Sequence, residues 1–148
     1  MVQTAADPIT GAENVTWDLS IFYAGGDDPA ISADMERVTA MADDFAARYR
    51  GKVASMTAAE MVAAMQELEA IYDLSGRVSS FAFLNFSTDT ADPLWSALVQ
   101  RVTEHGAALQ QKLLFFELEW RAVDETGAEK LLADPALGKY RHYLESER

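Results

Sequence analysis

The chain has 148 residues, of which 24 are acidic and 12 basic, for a formal charge of −12. No stripe of Lys or Arg is present to neutralise a phosphate backbone, which excludes nucleic acid as a partner. Cysteine is absent, so a disulfide framework, a thiolate nucleophile and a thiolate metal site are excluded as well.

With 49% apolar residues, a chain of this length can bury one core of ordinary size. No run approaches the roughly eighteen apolar residues of a membrane span. Met1 to Asn14 carry neither a basic n-region nor an apolar h-region. These features predict a cytoplasmic protein without a membrane partner. Residues 1–14 have no sustained period and are expected to form a tail. Residues 15–148 are expected to form a single helical domain.

From Val15 to Tyr23 the aromatic and β-branched sequence runs directly into Gly25, Gly26, Asp27, Asp28 and Pro29. A short irregular anchor is predicted here, pinned by Trp17, Phe22 and Tyr23. Pro29 suits the first turn of a helix capped by Asp27 or Asp28. Ile31, Met35, Val38, Met41, Ala42, Phe45 and Tyr49 then recur at helical spacing until Gly51. A second helix is announced by Thr57 with Glu60 three residues on, a capping-box pattern, and carries Met61, Met65, Leu68, Ile71, Tyr72, Leu74, Val78, Phe81 and Leu84 to about Ser87.

Ser75 and Gly76 interrupt that second stripe, where Gly costs about 1 kcal/mol relative to Ala. Close approach of a neighbouring helix is the first expected compensation, and a kink in the helix the second. The run from Ser87 to Pro93 is a turn and a new N-terminus together, with Thr90 or Asp92 as cap. The third helix bears Leu94, Leu98, Val102, Leu109, Leu113, Phe116, Trp120 and Val123. Two shorter helices are predicted from Thr126 to Asp134 and from Leu137 to Glu147. The fold class that follows is all-α, a helical bundle built on a long antiparallel hairpin of the second and third helices.

No catalytic, cofactor-binding or metal-ligating residue is nominated in this chain. Catalytic zinc needs about three ligands and an open position. The two histidines, His105 and His142, are far apart and neither begins an HExxH. His105 is read as a mid-helix residue and His142 as packing beside Tyr140 and Tyr143. The acidic pairs Asp43/Asp44, Glu67/Glu69 and Glu117/Glu119 point to different helix faces and are read as solvated surface. Phosphate-cradling motifs are missing, and Gly25-Gly26 is followed by two carboxylates of the wrong sign. Met35, Met41, Met61 and Met65 are read as core filler. Phe81, Phe83 and Phe86 spread too widely for one seam, so this end of the second helix packs on two sides or leaves one side needing a partner.

Several segments taken together resemble the N-terminal region of the oligoendopeptidase F family, relatives of thimet oligopeptidase. The resemblance covers about Trp17 to the end. It rests on Trp17-Asp18-Leu19-Ser20 with Phe22-Tyr23, on the stretch from Phe45 to Val53, and on Phe81-Ala82-Phe83-Leu84 followed by Asp89-Thr90-Ala91-Asp92-Pro93. Phe115 to Glu119, Asp134 to Leu137 and Tyr140 to Leu144 continue it in order. The resemblance implies a zinc endopeptidase of short peptides whose HExxH and downstream Glu lie in a catalytic domain of a longer parent. It further implies that the zinc belongs to that parent and that this chain is a non-catalytic accessory domain walling or gating the substrate channel. Its expected partners are the catalytic domain of the same polypeptide and, in the parent, short peptide substrates. Self-association of the fragment is also expected, through apolar surface that the parent would cover. The alternative is a free-standing helical interaction module without enzymatic activity.

Overall fold

The computed structural model describes Gly11 and residues 18–148. The tail expected over residues 1–14 and the Trp17 part of the anchor therefore lie outside the described residues, Gly11 apart. Among the described residues all regular structure is helical: α1 (Pro29–Tyr49), α2 (Ala58–Thr88), α3 (Pro93–Arg121), α4 (Glu125–Leu132) and α5 (Arg141–Ser146), with 3-10 turns at Val53–Ser55 and Pro135–Leu137. The first three helices pack mutually, α2 and α3 forming the antiparallel hairpin.

Each long helix begins where a side chain can satisfy an orphan backbone donor. The Asp28 carboxylate accepts from Ala30 N at 2.9 Å and, backward, from Ala24 N at 2.8 Å, joining the incoming loop to α1. These two donors hold the Asp28 carboxyl below the ordinary carboxylate value. Thr57 and Glu60 form the reciprocal capping box, with Thr57 N to Glu60 Oε2 at 2.8 Å and Glu60 N to Thr57 Oγ1 at 3.3 Å. Of the two candidate caps for α3, Asp92 serves, accepting from Leu94 N at 2.8 Å with Pro93 beside it.

The core divides into two clusters. The larger joins Phe45, Met61, Leu68, Leu113, Phe116, Trp120, Leu137 and Leu144 at the end of the bundle where α4 and α5 dock. The smaller joins Tyr23, Ile31, Val78, Phe81, Leu98 and Val102 toward the hairpin turn. Burying one side chain such as Phe45 or Leu98 contributes about 1.5–3 kcal/mol relative to leaving it in water. Of the predicted anchor, Tyr23 is buried in this smaller cluster and Phe22 packs against it. The Tyr23 ring meets Phe81 edge-on at 5.1 Å, and its hydroxyl donates to Asp34 at 2.8 Å.

Several expectations are corrected. Tyr72, Leu84 and Leu94, assigned to apolar stripes, are 49%, 41% and 42% exposed. Phe115, not assigned, is buried. A Cβ at Gly76 would meet nothing within 4 Å, so no helix approaches there. The close approach is at Gly26, where a Cβ would stand 2.7 Å from the Trp95 ring. The last predicted helix is shorter than expected, since Pro135–Leu137 takes a 3-10 turn capped by Asp134 and α5 starts only at Arg141.

Candidate functional site

The two histidines sit in unrelated settings. His142 is exposed on α5 rather than packed as expected. His105 is half-buried on α3, with its Nε2 2.9 Å from Thr39 Oγ1 of α1. It lines a narrow crevice with Ser75, Ser79, Met35, Val38, Val78 and Val102, where the two core clusters meet. Among the described residues no group of three or more His, Asp or Glu side chains is placed to hold a metal ion.

The acidic pairs are more than solvated surface, which corrects the reading from spacing. Glu67 accepts from the buried Tyr49 hydroxyl at 2.8 Å and pairs with Arg48. Glu69 accepts from Tyr140 and Lys139, each at 2.8 Å, so α2 is tied to the segment leading into α5. Those two donors hold the Glu69 carboxyl below its ordinary value. Glu119 reaches from α3 to Gly51 N, and Glu117 pairs with Arg121 one turn on. Spacing along one helix cannot disclose partners supplied by another. The methionines do fill core: Met61 and Met65 are buried, and Met35 and Met41 pack against the two clusters.

One concavity lies between α2 and the segment that leads through Tyr140 into α5. Met65, Leu68, Glu69, Tyr72, Asp73, Lys139, Tyr140 and Tyr143 line about 310 Å³ of space. Met65 and Leu68 are buried and make an apolar floor, whereas Tyr72 and Tyr143 are 49% and 45% exposed. Partial burial, together with the charges of Glu117 and Glu147, raises both tyrosine hydroxyls above their ordinary value. This groove was not anticipated. The available signal was the adjacency of Ile71 and Tyr72, which places only one of the two in the helix seam.

Apolar side chains are also exposed at the hairpin turn. Phe81 is buried between Tyr23 and Trp95, but Phe83 is 47% exposed, and Leu84 and Leu94 share that end of the bundle. The aromatic-rich flank thus packs on one side and presents another. No helix among the described residues is long and apolar enough to cross a membrane. Comparison with known protein families, characterised proteins and solved structures gives no match for this chain.

Proposed function

We propose that this chain is the helical N-terminal accessory domain of a cytoplasmic zinc-dependent oligoendopeptidase, covering part of the catalytic body and gating the entry of peptides. The supporting observation is the hairpin end, where Phe83, Leu84 and Leu94 are exposed although the same helices bury Phe81 and Leu98 beside them. Exposed apolar side chains grouped at one end of a packed bundle mark a surface that another body covers. The sequence segments resembling the family also coincide with structural joints: the Asp89 to Pro93 turn and the Glu119 contact to Gly51.

In this reading the zinc and the general base belong to the parent's catalytic domain, where metal-bound water attacks the scissile carbonyl. This domain acts by excluding large chains and water. The deciding experiment uses the polypeptide encoded by the full reading frame. Zinc-dependent cleavage of a short quenched fluorescent peptide is expected, and removal of residues 15–148 should raise kcat/KM for longer peptides more than for the shortest. A frame without HExxH sinks the proposal and leaves the free-standing interaction module. A truncated enzyme that remains folded and zinc-loaded yet still refuses longer peptides removes the gating role.

A further inference from the structure

We infer that the groove between α2 and α5 is a docking site for a separate basic polypeptide, a segment in which Lys or Arg alternates with apolar residues. This surface is distinct from the hairpin end invoked above, and the inference stands without the peptidase reading. Its floor is apolar, from Met65 and Leu68, and its walls are the half-exposed rings of Tyr72 and Tyr143. Neither hydroxyl has a hydrogen-bond partner among the described residues. Tyrosines that present a ring and a free hydroxyl at the mouth of an apolar groove suit an interface, where the ring is covered and the hydroxyl is bonded.

Charge selects the occupant. Four carboxylates surround the groove: Glu69 and Asp73 line it, and Glu117 and Glu147 lie close enough to act on both tyrosine hydroxyls. The neighbouring cations are Lys139, bound to Glu69, and Arg121, shared between Glu117 and Glu147. Asp73 has no cation partner among the described residues. The local excess is negative within a chain of charge −12, so an acidic or phosphorylated ligand is repelled. A second copy of this chain is disfavoured for the same reason, since a two-fold contact would set the same carboxylates against one another. A Lys or Arg side chain satisfies the site in two ways, pairing with Asp73 and lying over the face of Tyr72 or Tyr143. An adjacent apolar side chain fills the floor.

The test uses the full chain and a fluorescein-labelled amphipathic peptide of Lys and Leu, read by fluorescence anisotropy. Two control peptides carry Glu in place of Lys and Ser in place of Leu. The Lys/Leu peptide should bind, the Glu/Leu peptide should not, and the Lys/Ser peptide should bind about tenfold more weakly. Replacing Tyr72→Ser and Tyr143→Ser together should weaken the Lys/Leu peptide about tenfold. Asp73→Asn, a change at an exposed and unpaired carboxylate that leaves the fold intact, should weaken binding severalfold and flatten its salt dependence. Phe83→Ser, at the hairpin end, should leave it unchanged. Several results overturn the inference: no binding by the unaltered chain, equal binding of the Lys/Ser peptide, insensitivity to Asp73→Asn, or loss on Phe83→Ser. A dimer dissolved by the tyrosine changes makes a second copy the occupant and also overturns it.

Discussion

The carboxylate of Glu119 on α3 accepts from the backbone N–H of Gly51 through both oxygens, at 2.8 and 3.0 Å, and lies 3.4 Å from Val53 N. Gly51 has φ +78°, a left-handed conformation that lets the chain leave α1 and turn toward the Val53–Ser55 segment. One side chain thus satisfies the donors of a corner that no helix provides for. Replacing Glu119→Ala should lower stability by about 0.5–1.5 kcal/mol, the net worth of hydrogen bonds at an exposed corner whose donors water can take over. Gly51→Ala should cost about 1 kcal/mol through its backbone alone, since a Cβ there meets nothing within 4 Å. Urea denaturation of the two variants and the double variant checks both values and their coupling.

Gly26 and Gly76 should respond in opposite directions to the same change. A Cβ at Gly26 collides with Trp95 and Leu94, so Gly26→Ala should destabilise by about 1–3 kcal/mol. Gly76 is exposed inside α2 with open space around it, so Gly76→Ala should stabilise by about 1 kcal/mol. Thermal melts of both variants against the parent chain decide the matter. A destabilised Gly76→Ala would mean that α2 is interrupted at Ser75-Gly76.

The buried indole of Trp120 donates to the Leu144 carbonyl at 2.8 Å and fastens α5 to the end of α3. Trp120→Phe should cost at least about 1–3 kcal/mol by leaving that carbonyl unpaired, before the volume lost is counted. Leu144→Ala, at a fully buried position, should cost about 2–5 kcal/mol. Hydrogen exchange of α5 amides should accelerate in both variants ahead of the amides of α2.

Two groups set the expected pH dependence. Burial and then the Asp34 hydrogen bond raise the Tyr23 hydroxyl above its ordinary value. Its stabilising contribution is therefore complete below the unfolded tyrosine value of about 10 and is lost as pH rises through the folded value. Glu69 is depressed by Lys139 and Tyr140, so its contribution is present above the unfolded value of about 4.3 and is lost as pH falls through the folded one. Unfolding curves for Tyr23→Phe should be flatter above about pH 10, and those for Glu69→Gln flatter below about pH 4.3. Unchanged slopes would remove these groups from the titration.

If the hairpin end is the face covered in the parent, the isolated chain should associate through it at high concentration. Light scattering should show mass increasing with concentration, and Phe83→Ser with Leu84→Ser should return a monomer while leaving helical content unchanged. An isolated, unaltered chain that stays monomeric and binds no dye for exposed apolar surface argues against that face being an interface.

The boundaries of the three long helices were legible in the sequence because their causes are local. Asp28, the Thr57 and Glu60 pair, and Asp92 with Pro93 act on backbone donors within three residues, and no neighbour need be known. The buried positions Val38, Phe45, Leu68, Leu109 and Trp120 followed equally from helical period. Other features depended on which element arrives from elsewhere. Tyr72 stays exposed because α5 leaves an open groove above it, and Gly26 is constrained by Trp95 some seventy residues on. Glu67, Glu69 and Glu119 became cross-links only when α1, the approach to α5 and the Gly51 corner were brought to them. Periodicity identifies the side of a helix that can be buried. The partner that packs against it, and therefore the groove that remains, is settled by contacts between residues distant in sequence.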